Sequence, residues 1–245
     1  MSTITVASMV KNEANNYLES CLSAWSDFAD EILILDDNST DSTADLCRSA
    51  GATVVPWKGM AAWGCETQPR KTLWQKAVET GTDFIFVLDA DMVPARDPRD
   101  LLIGGTDGVA FTLFDLWGEN CFRSDYLWQG HEVPRLWIVR NNQKNRSLSW
   151  SGRHIHSGHF PTNLKLDRVV IAPRDYSLLH YAYVTPEDRT KKKKQYLSKG
   201  HLLTTHEWIH ATSIDDPEPN ILPLDIAIRW PLRKSKSDPQ SDNSP

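Results

Sequence analysis

Phe84-Ile85-Phe86-Val87-Leu88 is an unbroken apolar run closed by Asp89-Ala90-Asp91, and no other stretch constrains the fold as much. Without polar alternation the run is apolar on both faces, as befits a strand of a parallel sheet buried between two layers of helices. The residues before it repeat a strand-then-helix rhythm. Residues 3–10 alternate as a strand, and Leu18, Leu22 and Trp25 follow at helical spacing. Ile32-Leu33-Ile34-Leu35 stops at Asp36-Asp37-Asn38-Ser39-Thr40-Asp41, where Asp and Ser suit a helix N-cap, Asp41 foremost, and Gly51 marks that helix's end. Val54-Val55 gives a short third strand, and a helix over about 68–80, closed by Gly81, leads back to the apolar run. Strands alternating with helices predict an α/β fold with a mostly parallel sheet flanked by helices.

After Asp91 the rhythm is lost. Gly104-Gly105, a strand-like stretch over 109–114 and the tryptophans Trp117, Trp128, Trp137 and Trp150 predict a smaller region of antiparallel strands and long loops. Thr185-Pro186-Glu187-Asp188 then starts a helix, with Thr as N-cap and Pro in the first turn, that runs to about Lys199 before Gly200. The expected organisation is one domain over 1–232, with a first half (1–100) and a second half (101–232). Residues 233–245 contain no apolar side chain and are expected to be a disordered tail.

Charge is divided between the halves. Residues 1–100 carry 8 Lys/Arg against 16 Asp/Glu, whereas residues 123–174 carry 9 Lys/Arg against 3 acids, which leaves room for an anionic partner there. No apolar run approaches the roughly 20 residues of a membrane span, and Met1-Ser2-Thr3-Ile4 lacks the features of a signal peptide, so a cytoplasmic protein is expected. Cys21, Cys47, Cys65 and Cys121 have no metal-knuckle or disulfide spacing and read as reduced and structural.

Ligands of open parallel sheets sit beyond the carboxyl ends of the strands, and here those ends carry acids. Asp36 and Asp37 follow one strand, Asp89 and Asp91 another. Grouped carboxylates repel unless a cation lies between them, and a divalent ion that in turn holds a diphosphate is the simplest one.

Three segments in order, Met9-Val10-Lys11-Asn12-Glu13, Ile34 to Asp41, and Val87-Leu88-Asp89-Ala90-Asp91, resemble the GT-A-fold nucleotide-sugar glycosyltransferases of the family-2 type. The likeness is clear over about 3–95 and looser to about Tyr196. It implies a donor site made of Glu13, Asp36, Asp37, Arg70 and Asp89, although Lys71 stands where the family often has Asn after the Arg. It further implies an Mn²⁺ or Mg²⁺ ion on Asp91 and His180, the latter lying in an element like the family's histidine-tyrosine segment. The alternative for His180 is a core histidine bonded to backbone. His156 matches the His of the family's His-Glu pair, but Ser157 replaces the Glu that serves inverting members as a base. A base would then come from Asp115, Glu119, Asp125 or Glu132, or the reaction retains configuration. Asp91, Glu119 and His156 are the candidate catalytic residues; His154 and His159 are candidate acceptor or proton-path residues. Trp117 and Trp128 are candidate acceptor-stacking residues, with core packing as their alternative. Lys191–Lys194 cover every side of their helix and read as a solvated surface, with phosphate contact as the alternative.

The function implied is transfer of a sugar, from a UDP-sugar or related donor, to a hydroxyl acceptor that is a saccharide or a nucleic acid. Two other classes remain. A nucleotidyltransferase would carry a Gly-rich basic loop after its first strand, where Met9–Glu13 stands. A non-catalytic sugar- or nucleic-acid-binding protein is favoured by Ser157 and opposed by Asp89 and Asp91.

Overall fold

The computed structural model describes residues 2–59, 66–142, 147–152 and 158–235. Its first half alternates as expected: β1 (Ile4–Val10), α1 (Leu18–Ser26), β2 (Glu31–Asp36), α2 (Thr43–Ser49), β3 (Thr53–Pro56), α3 (Thr67–Glu79) and β4 (Phe84–Val87). Parallel pairing places β1 between β4 and β2, with β3 beyond β2. The apolar run 84–88 is at most 3% exposed because each face has its own cover. Phe84 and Phe86 pack in the core with Leu18, Leu22 and Trp25 of α1, while Ile85 and Val87 pack with Leu73, Trp74 and Ala77 of α3.

β5 (Met92–Pro94) leaves this sheet directly after Asp91. The strands β6 (Gly108–Phe111), β7 (Leu113–Gly118), β8 (Cys121–Arg123), β9 (Arg135–Arg140), β10 (Val169–Ile171), β11 (Leu178–His180) and β12 (Ile221–Pro223) complete two sheets, together with α4 (Pro186–Leu197) and α5 (Thr205–Ser213). The larger sheet has the order β10-β6-β9-β4-β1-β2-β3, and the smaller β12-β8-β7-β11-β5. β9 is antiparallel to both β4 and β6, and β7–β8 is a hairpin, as the second half's sequence suggested. The region is mixed rather than wholly antiparallel, because β11 runs parallel to β7 and β10 to β6. Both parallel pairs close long excursions of the chain, which a parallel pair requires.

α4 begins with the expected cap: Thr185 accepts from the Asp188 backbone and the Asp188 side chain accepts in return. α5, which is not among the expected helices, starts with the same reciprocal box, made by Thr204 and Glu207.

α1 is fastened to the loop that carries the acids. Trp25 is fully buried and its indole N–H donates to the Met92 carbonyl at 3.0 Å. Trp25→Ala should lower unfolding free energy by about 3–5 kcal/mol, through a cavity and an orphaned carbonyl. Urea unfolding of the variant measures it, and a loss below about 1 kcal/mol would mean that α1 does not anchor β5.

The chain does not become free at residue 233. Arg233 N–H donates to Ser20 Oγ at 3.2 Å, Ser235 N–H to the Asn16 carbonyl at 2.8 Å, and Lys234 pairs with Asp188 and lies over the Tyr17 ring. These polar residues order through ionic and backbone contacts to α1 and α4, which absence of apolar side chains did not forbid. The remainder of the expected tail, 236–245, lies outside the described residues. Truncation after Leu232 should lower Tm by about 2–6 °C relative to truncation after Ser235, as a few half-exposed hydrogen bonds would. Equal melting curves for the two truncations would show these contacts to contribute nothing.

Candidate active site

The acids meet because three neighbouring parallel strands end side by side. Glu13 follows β1, Asp36 and Asp37 end and follow β2, and Asp89 and Asp91 follow β4, with adjacent strands about 4.8 Å apart. The first two loops interlock. Asn12, with φ of 54°, accepts from the Thr40 N–H at 2.8 Å, Ser39 Oγ accepts from the Asn12 N–H at 3.0 Å, and Thr43 Oγ1 accepts from the Glu13 N–H at 2.7 Å. Asn38 has φ of 55°, and Asn tolerates this left-handed region better than most residues. Asp41 accepts from the Thr43 N–H at 3.0 Å, but it does so from one residue before the N-cap of α2, which is Ser42 rather than Asp41 as expected.

Within this frame Asp36 and Asp37 are both buried. Asp36 Oδ2 accepts from the Ser39 N–H at 3.3 Å, while its Oδ1 has no hydrogen-bond partner among the described residues. Lys11 Nζ donates to Asp37 Oδ2 at 3.2 Å. Glu13 accepts from Asn16 Nδ2 at 2.6 Å, and burial together with the nearby Asp91 charge pushes its carboxyl up to about 7. Arg70, also buried, extends from α3 to within 3.7 Å of Asp89. Its Nε and Nη1 have no acceptor among the described residues, leaving a buried cation with spare donors.

Register brings Asp91 to His180. β5 pairs antiparallel with β11, Met92 opposite His180, and the Tyr181 N–H donates to the Asp91 carbonyl at 2.9 Å. On the other side β11 runs beside β7 with His180 opposite Asp115. His180 Nδ1 donates to Asp115 Oδ1 at 2.6 Å, a carboxylate acceptor that fixes the proton on Nδ1. Nε2 then faces Asp91 Oδ1 at 3.5 Å, buried and without a hydrogen-bond partner among the described residues. Burial would push this imidazole down, but Asp91 and Asp115 outweigh it and hold it up to about 9. Asp91 in turn lies well below the usual carboxylate range: burial opposes ionisation, and His180 and Lys192 overcome it. Asp89 is likewise lowered, against burial, by His159 and Arg70.

α4 closes the cleft opposite the strand ends. Glu13, Asn16, Tyr17, Asp91, Lys191 and Lys192 are among its lining residues. The lysine run is therefore not uniformly a solvated surface. Lys193 pairs outward with Asp215 and Lys194 is exposed, but Lys192 Nζ lies 4.0 Å from Asp91 Oδ2 and Lys191 donates to Asn16 Oδ1 at 3.0 Å. Four successive helical positions span all directions, so one of them had to face the site.

Other expected site residues fall elsewhere. Trp128 is 1% exposed and packs with Tyr183 and Tyr196 in a third core cluster, its N–H on Ser213 Oγ at 3.1 Å, so core packing overrides acceptor stacking. Trp117 is taken by Tyr183, stacked at 5.6 Å, and by the Arg123 and Arg189 guanidinium groups. Glu119 sits exposed in the β7–β8 turn, four residues and roughly 13 Å of strand beyond Asp115. Asp125 is held by Arg123 at 2.6 Å, and Glu132 is exposed. His154, His156 and Ser157 lie outside the described residues, as does Cys65. Within the cationic stretch Arg135, Lys165 and Arg168 are exposed, but the other described arginines are paired with acids. Arg123 is buried between Asp125 and Asp216, Arg140 pairs with Asp107, and Arg174 with Asp225. A nucleic-acid partner finds no support there.

No protein-family model matches the chain, and no curated protein matches it. Among solved structures, glucosyl-3-phosphoglycerate synthase from Mycobacterium tuberculosis in complex with phosphoglyceric acid aligns with a TM-score of 0.52 and 16% identity, over 94% of this chain and 90% of that one. The same synthase in complex with Mn²⁺, UDP-glucose and phosphoglyceric acid gives 0.49 at 16% identity, over 94% and 90%. S. aureus TarS 1–349 in complex with UDP gives 0.49 at 15% identity, over 86% of this chain and 69% of that one. The first of these likenesses establishes the fold, the GT-A arrangement of a mostly parallel central sheet flanked by helices. No helix among the described residues is long and apolar enough to cross a membrane.

Proposed function

We propose that this protein is a divalent-ion-dependent glycosyltransferase that takes a sugar from a nucleoside-diphosphate donor, a UDP-sugar, to a hydroxyl acceptor. The observation that carries the reading is the pairing of Asp91 with a buried His180 Nε2 that has no hydrogen-bond partner among the described residues, at the carboxyl edge of the sheet beside Glu13, Asp36 and Asp37. A carboxylate and an imidazole oriented by a second carboxylate make a fitting donor set for Mn²⁺ or Mg²⁺. Among the described residues no cluster of three or more His, Cys, Asp or Glu side chains is arranged to hold an ion, so diphosphate oxygens and water would complete the coordination. When bound, the ion offsets the charge that grows on the departing diphosphate.

The chain's own groups do the rest. Asp36 and Asp37 accept from the nucleoside, its ribose hydroxyls or its base N–H. Arg70 turns its spare Nε and Nη1 donors to the donor's phosphate or sugar oxygens, with Asp89 accepting from a hydroxyl. Asp115 is bonded to His180 and Asp125 to Arg123, while Glu119 and Glu132 are exposed, so proton removal from the acceptor is assigned to none of the four. The fold neighbour is by name a synthase of glucosyl-3-phosphoglycerate, which supports sugar transfer as the class of reaction.

A panel of nucleotide sugars with Mn²⁺ and small hydroxyl acceptors, phosphoglyceric acid among them, tests this. Release of UDP that depends on both ion and acceptor is the expected result. Nucleotide binding without turnover on any acceptor would favour a binding protein, and release of pyrophosphate a nucleotidyltransferase.

A further inference from the structure

We infer that Lys192 is a place-holding cation: it neutralises Asp91 while the ion is absent and passes to the diphosphate when ion and nucleotide arrive together. The inference rests on the proposed donor site and deepens it.

The two oxygens of Asp91 face different partners, Oδ1 the imidazole of His180 at 3.5 Å and Oδ2 the ammonium of Lys192 at 4.0 Å. Asp91 shares its loop with Asp89 and its cleft with Glu13, so an uncompensated carboxylate there would be repelled by its neighbours. Lys192 supplies the compensation from α4. Its side chain is 23% exposed, enclosed enough to stay at the carboxylate and free enough to move. The long flexible stem carries a charge that can be re-aimed from the carboxylate to a neighbouring anion. The adjacent Lys193 is committed to Asp215 and Lys191 to Asn16, so neither offers the same service.

A divalent ion entering alone would lie within a few ångströms of Nζ, and like charges at that spacing repel strongly in a partly enclosed site. The nucleoside diphosphate removes the conflict, since its oxygens give both the ion and the displaced ammonium a counter-charge. Ion and nucleotide therefore raise each other's affinity, and by linkage each does so by the same factor.

Calorimetry on the full chain tests this with two titrations, Mn²⁺ alone and UDP at saturating Mn²⁺. Lys192→Met should bind Mn²⁺ alone about tenfold more tightly than the unaltered protein and UDP about tenfold more weakly, opposite signs that simple damage to the site would not produce. Lys192→Arg should keep both affinities within a few-fold, and Lys194→Met, on the exposed side, should change neither. Should the Met variant fail to melt cooperatively, Lys192→Gln takes its place with the same expectations. Mn²⁺ binding no tighter than in the unaltered protein, or undiminished UDP binding, overturns the inference while leaving the nucleotide site in place. An unaltered protein that binds no nucleotide with or without Mn²⁺ overturns the site and the inference together.

Discussion

Asp91→Asn is expected to weaken Mn²⁺-dependent UDP binding by about 100-fold or more and, without any ion, to destabilise the fold by about 1–3 kcal/mol. The first effect follows from removing a charged ligand whose remaining partner, His180, cannot hold the ion alone. The second follows from the ion pairs that Asp91 makes in the metal-free protein, whose loss leaves Lys192 without its carboxylate and His180 with Asp115 alone. Breaking a fully buried pair costs about 3–5 kcal/mol, and the 19% exposure of the Asp91 side chain reduces that. A surface-cleft carboxylate would have been expected to matter for binding only. The depressed carboxyl also sets the pH dependence: its stabilising contribution is present above the unfolded value near 4 and is lost as pH falls toward the folded value. Calorimetry and urea unfolding between about pH 3 and 7 measure both effects. An Asn variant with unaltered UDP affinity would remove Asp91 from the ion site, and one with unaltered acid stability would deny the ion pairs.

The second large effect belongs to His180. Its folded-state value, held up to about 9, lies above the unfolded value near 6.5. The imidazolium therefore stabilises the metal-free protein fully below about pH 6.5, and that contribution is lost as pH rises through about 9. The shift corresponds to on the order of 3 kcal/mol, and His180→Ala should remove most of it. Ion binding needs the neutral ring, so the ion must expel the Nε2 proton. Mn²⁺ affinity should rise by up to about tenfold per pH unit from about pH 6 to 8, with about one proton released, read by titration in buffers of different ionisation enthalpy. A pH-independent affinity over this range would remove His180 from the ion's ligands.

From sequence, metal ligand and core histidine are rival readings of His180. In the structure His180 is 7% exposed as a core residue would be, yet it is bonded to the Asp115 carboxylate rather than to backbone and its Nε2 is aimed at Asp91. Sequence could not show this, because Asp91, Asp115 and His180 meet through strand register across intervals of 24 and 65 residues. The first half was more legible for a simple reason. Each β–α unit of residues 4–87 is built from local periodicity and caps, and the strand ends alone place Glu13, Asp36, Asp37, Asp89 and Asp91 on one edge. The aromatic residues were the least legible. Nothing in spacing distinguishes a tryptophan offered to a sugar from one like Trp128, closed in by Tyr183 and Tyr196. The lysine run failed for the opposite reason: composition averaged four side chains that the helix sends in four directions.

The path of β5 has a consequence for how the protein comes into being on the ribosome. Asp91 lies in the loop after β4 of the larger sheet, yet the strand that follows it waits for β11 of the smaller one, and β4 waits for β9. A chain emerging at about 5–20 residues per second therefore exposes its acid loop for roughly 5–20 s before His180 has even been synthesised. During that interval Asp91 lacks both His180 and Lys192, and the edges of β4 and β5 lack their partners. The acid loop is translated early and assembled late, so a nascent chain stalled near residue 150 would display unpaired strand edges. The first hundred residues, for all their regularity, leave an edge of β4 and the whole of β5 without the strands that pair with them.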